Sequence, residues 1–525
     1  MKVYLSNSVK KLLSKQDIIP LSKEQCLKNE SYYFQIYIEN SWVGKLPLHI
    51  QSNLEIVPYE VVWKKGNYEL NKKTDDWYIQ TPDDTYPDLL VKLSDAVSLD
   101  GKDKALFFEI PATEKQAGIY DIEIVIGEEK VAFQLEVINE SLAKNDLLIT
   151  HWIYADCVCN YYGVQPFTKE FYAIYDRFLK SYVKLGNNMI FVPVFTPPLD
   201  TDVGLERLTT QLVKARKVGG RYEFNFDKVK EYIEFVKSYG IQYFEFSHLF
   251  TQWGGKCAPK IIVEENGQEV KAFGWDTPAD DEEYLHFLKE YLQVLNAFVE
   301  KEGIKENCYM HLTDEPRKEH IEKYEKLSAF VKQYNGGIKI IDAISNYDIV
   351  EKELVSVPAV YMDVEEYSKF KDREKFLYYC VWADTKHLTN RYFHMPALRT
   401  QILGVQLYHE KAKGFLHWGY NFYNAQLSKK TIDPYEDCTA GGGFVAGDSF
   451  LVYPGKEDVE YSLRYFEILK VFEDYRLLKT LEEKVGRQQV DQLLKGMNYT
   501  DLHEYSREEE NYLTLKKKIY SLLGD

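Results

Sequence analysis

Hydrophobic and polar positions alternate with a period of two through the first 139 residues, in segments 32–39, 54–63, 105–110, 119–126 and 131–137. The last two are the clearest. Tyr120, Ile122, Ile124 and Ile126 alternate with Asp121 and Glu123, and a turn through 127–130 leads into Val131, Phe133, Leu135 and Val137, which is a hairpin pattern. Short strands between turn residues, with almost no helical periodicity, predict an antiparallel β-sandwich over residues 1–142.

After Asn145 the rhythm changes to short apolar runs separated by longer amphipathic ones. Strands are expected at 147–154, 188–195, 241–246, 307–313, 338–344, 359–363, 376–382 and 413–418, and helices at 169–185, 227–239, 280–302 and 320–334. In the second of those helices Val229, Tyr232, Ile233 and Val236 fall on one face. Connections of this length force neighbouring strands to run parallel. Eight strand-helix units therefore predict a (β/α)8 TIM-type barrel over 146–481, with a doubly wound open sheet as the alternative. Residues 482–525 are charged and helical in pattern, a C-terminal helical extension.

Composition narrows the function classes. The chain has 525 residues, 45 % of them hydrophobic and 28 % charged, which is ordinary globular usage and excludes a disordered or collagen-like chain. A net charge of −17 argues against duplex DNA or an anionic membrane as partner. The unusual feature is 42 Tyr, 28 Phe and 8 Trp, residues that stack on sugar rings as well as filling cores. Seven scattered cysteines, with Cys157 and Cys159 only one residue apart and no CxxC pair, read as reduced thiols. The amino terminus lacks the apolar core of a signal peptide and no 18-residue apolar run occurs, so a cytoplasmic protein is expected.

In a barrel of this kind chemistry sits at the carboxyl ends of the strands. The fourth strand ends in Leu312-Thr313-Asp314-Glu315-Pro316. Two adjacent carboxylates there raise each other's pKa, and both can face one pocket only if the backbone bends, because successive strand residues point to opposite faces. A solvated loop that caps the next helix is the plainer reading of the same tripeptide. Asp342 and Asp363 end the fifth and sixth strands, and either is a candidate nucleophile opposite Glu315. Trp382 ends the seventh strand, and Trp418, Tyr420 and Asn421 follow the eighth, as sugar contacts or as core residues. His151, His248 and His417 also fall near strand ends, as core histidines or as a metal triad. The glycines around Asp448 read as a flexible rim, with no lysine to make a phosphate loop.

Four blocks in order carry a family resemblance: Leu312 to Pro316; Asn390-Arg391-Tyr392 with Pro396 and Arg399; Gly414-Phe415-Leu416-His417-Trp418-Gly419-Tyr420-Asn421; and Gly447-Asp448 with Leu451-Val452-Tyr453-Pro454-Gly455. Over roughly residues 147–480 the chain resembles the family 123 glycoside hydrolases and the wider group around them. The resemblance implies an amino-terminal β-sandwich, a catalytic barrel and a β-N-acetylgalactosaminidase activity on an oligosaccharide or glycoside, with no cofactor and no metal. It makes Glu315 the general acid/base and Asp314 the residue that orients the substrate's 2-acetamido group. Beside it the strand ends offer Trp382, Trp418, Tyr420 and Asn421 as candidate substrate contacts, and Asn390 and Arg391, which precede a helix, either contact the substrate or cap that helix or pair with a carboxylate. The expected activity is that of a retaining exo-β-N-acetylhexosaminidase working through an oxazolinium-like intermediate. Its rivals are a two-carboxylate glycosidase for sugars without an acetamido group and a non-catalytic carbohydrate-binding protein. The chain departs from the family pattern after LVYPG, where Ser462, Arg464 and Glu467 precede Val471-Phe472-Glu473-Asp474-Tyr475, and at Ser449 after Asp448.

Overall fold

The computed structural model describes residues 1–67, 75–363, 367–378 and 387–524. The chain forms two compact units. One combines Met1–Asp146, Val381–Lys411 and Val445–Asp525; the other combines Leu147–Cys380 and Ala412–Phe444.

The first unit is built on a β-sandwich. Its larger sheet runs Lys2–Asn7, Tyr32–Glu39, Lys104–Ile110, Val57–Lys65, Thr85–Lys92, Glu460–Ser462 and Val452–Tyr453 in spatial order. The smaller sheet runs Lys23–Leu27, Glu129–Ile138, Gly118–Ile126, Val43–Gln51 and Ala96–Asp100. Pairing is antiparallel except between Lys23–Leu27 and Glu129–Ile138. The alternating residues of the expected hairpin point inward, so Ile122, Ile124, Phe133 and Leu135 meet Phe34, Ile36 and Phe108 of the larger sheet. Phe34 stacks on Phe108 at 4.7 Å and meets Phe133 edge-on at 4.9 Å.

The strand Tyr32–Glu39 is apolar on both faces because the larger sheet is covered twice. Tyr33 and Phe107 pack on Phe466 of the helix Leu463–Val485, at 5.4 and 5.1 Å. That helix starts at a Ser462 cap, whose hydroxyl accepts the Tyr465 N–H at 3.0 Å, and runs without a break across positions 481 and 482. The last helix, Glu509–Gly524, joins the same unit through Lys516 and Tyr520, which reach Glu30 at 3.2 and 2.7 Å.

The second unit is a TIM-type barrel. Its eight parallel strands are Leu148–His151, Met189–Val192, Tyr243–Phe246, Cys308–Met310, Lys339–Ile344, Val357–Tyr361, Phe376–Tyr378 and Gly414–His417. Strands two to seven each pair with the next in sequence, and the eighth pairs with the first. Asn188 closes the ring. Its side chain accepts from the Ile149 N–H at 2.9 Å and donates to the Leu147 carbonyl at 2.9 Å. Gly414 is required where strand eight passes strands one and seven, since a Cβ there would lie 2.5 Å from both the Leu148 carbonyl and the Phe376 ring. The helices Lys169–Lys184 and Glu282–Lys301 begin at Thr168 and Asp281, whose side chains accept N–H groups of the first turn. The seventh strand is described as far as Tyr378; the expected continuation to Trp382 lies outside the described residues.

One part of the barrel unit was not anticipated. The connections after strands two and three carry hairpins, Lys214–Val218 with Arg221–Asn225 and Ile261–Glu265 with Gln268–Phe273, which join in a four-stranded sheet through a parallel pair. Both turn on two left-handed residues, Gly219-Gly220 and Asn266-Gly267, a strong local hairpin signal that lies outside the strand-helix periodicity of the barrel. Among the described residues no helix is long and apolar enough to cross a membrane.

Candidate functional site

The end of barrel strand four is tied down from both sides before it reaches Asp314. The segment after strand three runs beside it: Leu249 and Phe250 donate N–H groups to the His311 and Leu312 carbonyls at 3.1 and 2.8 Å, and Trp253 donates to the Asp314 carbonyl at 3.0 Å. From the other side Asp342 of strand five accepts the N–H groups of Leu312 and Thr313 at 3.0 and 3.3 Å. Glu315 follows in the left-handed region at φ 43°. It bends the chain directly after Asp314, in a conformation that is costly for a side chain other than glycine. Both carboxyl groups are half-buried. The Tyr378 hydroxyl at the end of strand seven donates to Glu315 Oε1 at 2.9 Å.

Electrostatics at this bend are strongly perturbed. Burial first, and the Glu315 charge second, hold the Asp314 carboxyl well above the usual carboxylate range; the charges of Asp342 and Asp200 add to this and His311 opposes it. The Asp314 carboxyl therefore holds its proton to higher pH than an ordinary carboxyl. A proton bound more tightly in the folded than in the unfolded state favours folding at low pH, and that contribution is lost as pH rises from about 4 through the raised value. Asp314→Asn is therefore expected to raise Tm by about 2–4 °C at pH 8 and by less at pH 4. Scanning calorimetry at the two pH values checks it, and an equal or opposite shift would contradict the assigned strain.

Beneath the pair lies a fully buried chain of polar groups. Glu245 of strand three accepts from the Thr150 hydroxyl and the Trp152 indole, each at 2.8 Å, and from His311 Nε2. His311 Nδ1 meets Asp342 Oδ1 at 3.1 Å, and the Tyr324 hydroxyl donates to Asp342 Oδ2 at 2.7 Å. His248 stacks on His311 with ring centres 4.3 Å apart. Burial works against a charged His311, yet the Glu245 charge and the bonds to both carboxylates push its pKa up to about 9. His248 is pushed well down by burial and by the His311 charge.

The loop after strand two brings a third acid. Asp200, at φ 42°, accepts the Leu427 N–H at 2.9 Å, and burial pushes its pKa up to about 6 against that bond. Nearby Arg207 makes a buried two-point ion pair with Asp156 at 2.7 and 2.8 Å, beneath the Tyr154 ring. A cavity of about 150 Å³ opens between this loop and the inserted sheet, lined by Thr196, Arg207, Lys260 and Trp275 among others.

The remaining candidates separate. Trp418 is half-buried, its ring edge-on to Phe422 and Phe444 at 5.1 and 5.0 Å. Tyr420 is fully buried and its hydroxyl pairs with Ser181 at 2.6 Å. Asn421 clamps both backbone polar groups of Tyr154, at 2.7 and 3.1 Å. Asn390 and Arg391 belong to the first unit, where both are fully buried and Arg391 donates to the Asp448 carbonyl at 2.7 Å. The Gly447-Asp448 turn is accordingly buried rather than a mobile rim, with Arg464 donating to the Gly447 carbonyl. Trp382 lies outside the described residues. Asp342 has its two oxygens occupied by four donors. Six cysteines among the described residues are free thiols; Cys157 accepts from Tyr423 and Asn424. One group among the described residues, Asp75, Asp76 and His387, has metal-ligand spacing, and Arg399 and Arg507 already occupy its carboxylates.

Tyr378, Glu245 and Asp200 were not singled out from sequence. Glu245 is a lone acid inside an apolar run, a signal of a buried network, while nothing local marks Tyr378.

Residues 152–481, more than half the chain, match the family model of the glycoside hydrolase 123 catalytic domain. The chain belongs to glycoside hydrolase family 123. A family 123 glycoside hydrolase from Clostridium perfringens, solved to give the details of glycolipid glycan hydrolysis, is similar over 99 % of this chain and 97 % of its own. The TM-score is 0.71 and the identity 14 %, so the two share the fold. A family 2 glycosyl hydrolase from Bacteroides cellulosilyticus aligns over 86 % of this chain and 49 % of its own at 11 % identity, and its TM-score of 0.29 carries no argument. No curated protein matches this chain in sequence. Membership of family 123 makes the protein a glycoside hydrolase acting on glycan substrates.

Proposed function

We propose that this family 123 member is a retaining exo-β-N-acetylhexosaminidase, selective for N-acetylgalactosamine, that uses the substrate's own acetamido oxygen as nucleophile. The observation that carries the reading is the left-handed Glu315 directly after Asp314 beyond the end of strand four, with the Glu315 charge acting on the Asp314 carboxyl, while Asp342, the nearest rival nucleophile, has both oxygens occupied.

In the first step the acetamido oxygen attacks the anomeric carbon as Glu315 gives its proton to the departing glycosidic oxygen. Asp314 accepts the acetamido N–H and stabilises the positive charge of the oxazolinium-like intermediate. The step requires Asp314 ionised and Glu315 protonated when the acetamido group is bound. In the second step Glu315 takes a proton from water, which opens the ring from the face the leaving group left, so configuration is retained. Trp418 is assigned as a sugar contact, whereas Tyr420 and Asn421 support the barrel wall around Tyr154 and Ser181. Asn390 and Arg391 support the Asp448 turn.

Chromophore release from aryl β-glycosides of N-acetylgalactosamine, N-acetylglucosamine, galactose and glucose tests the proposal. Turnover confined to the two acetamido sugars, and faster for N-acetylgalactosamine, is expected. Turnover of galactose or glucose at a comparable rate would refute substrate assistance and direct attention to Asp363, and sugar binding with no turnover would favour the binding-protein reading.

A further inference from the structure

We propose that His311 is a positioning residue: a buried cation clamped between Glu245 and Asp342 that fixes the strand-four end and balances the charge of the Asp314 and Glu315 pair. The inference rests on the assignment of that pair as the reacting groups, and its evidence is separate. Carboxylates only accept hydrogen bonds, so a ring bonded to one at each nitrogen makes both bonds only as the doubly protonated imidazolium. The partners on every side fit this. Glu245 and Asp342 are fully buried acids, the Trp152 ring meets His311 edge-on at 5.4 Å, and the stacked His248 is kept neutral, with no partner at either ring nitrogen among the described residues.

The mechanical consequence runs through Asp342. The oxygen that receives His311 also receives the Leu312 N–H, and its other oxygen receives the Thr313 N–H and the Tyr324 hydroxyl. Those two peptide groups directly precede Asp314. A left-handed Glu315 persists only where its surroundings over-determine it, and this chain from Thr150 to Thr313 supplies that constraint. The electrostatic consequence is that the cation favours the ionised form of Asp314, which accepts the substrate N–H more strongly and stabilises the positive intermediate.

The test uses the full chain and whichever aryl glycoside the wild type cleaves best, so that an error in the sugar assignment does not decide it. His311→Gln is expected to lower kcat about a hundredfold with KM within threefold, as for a misplaced reacting group. It should also move the acidic limb of the kcat/KM profile to higher pH, because Asp314 then ionises less readily. A folded His311→Gln protein, judged by circular dichroism, with an unmoved limb or near-wild-type kcat would overturn the proposal. If that variant fails to fold, Tyr324→Phe decides, since it removes one donor to Asp342 and leaves every charge in place. A fall in kcat of about tenfold with KM unchanged supports positioning, and an unchanged kcat refutes it.

Discussion

Glu315→Gln is expected to lower turnover of a phenyl glycoside by about 10³-fold or more while lowering that of a dinitrophenyl glycoside far less. The amide has no proton to give, so the loss scales with how much the leaving oxygen needs one. Phenolate is a poor leaving group and requires protonation as the bond breaks, whereas dinitrophenolate departs unaided. The fold should survive, because the glutamine oxygen still accepts the Tyr378 hydroxyl that now meets Glu315 Oε1 at 2.9 Å. Steady-state rates on the two substrates, compared with Asp314→Asn, separate the roles. The Asn variant removes stabilisation of the intermediate and should slow both substrates alike. Equal losses on both substrates for Glu315→Gln would mean that this residue is not the acid.

Arg464→Met is expected to destabilise the first unit by about 3–5 kcal/mol, because it leaves a buried carboxylate unpaired. Arg464 and Asp88 are both completely buried, joined at 2.7 and 3.1 Å, and Arg464 also donates to the Gly447 and Phe450 carbonyls. The Tyr453 hydroxyl completes the cluster at Asp88 Oδ2, 2.6 Å away. Residues 88, 447 and 464 are far apart in sequence, so one guanidinium joins the sandwich to the segment that follows the barrel's last strand. Thermal unfolding should show Tm lowered by about 5–10 °C. The double variant with Asp88→Leu should lose less, since both charges go together, and what is lost is one donor to each of the Gly447 and Phe450 carbonyls and one acceptor for the Tyr453 hydroxyl. A single variant as stable as wild type would show that the pair does not hold this unit.

The alternation of period two and the switch to strand-helix units are local patterns, so the sandwich, the barrel strands and the main helices were readable from sequence. So was the need for a bend at Asp314-Glu315, since two neighbours on a strand cannot otherwise face one pocket. The paired hairpins lay within reach too, through Gly219-Gly220 and Asn266-Gly267. What required tertiary structure is every relation between distant positions. His311 meets Glu245 and Asp342 across 66 and 31 residues of chain, and their contact exists only because strands three, four and five lie side by side in one register inside a closed barrel. The same closure brings Tyr378 to Glu315 across 63 residues and commits Asp342 to the Leu312 and Thr313 N–H groups. Periodicity reports which face of an element is buried. It carries no information about which buried polar groups will meet, because that depends on strand register and barrel closure.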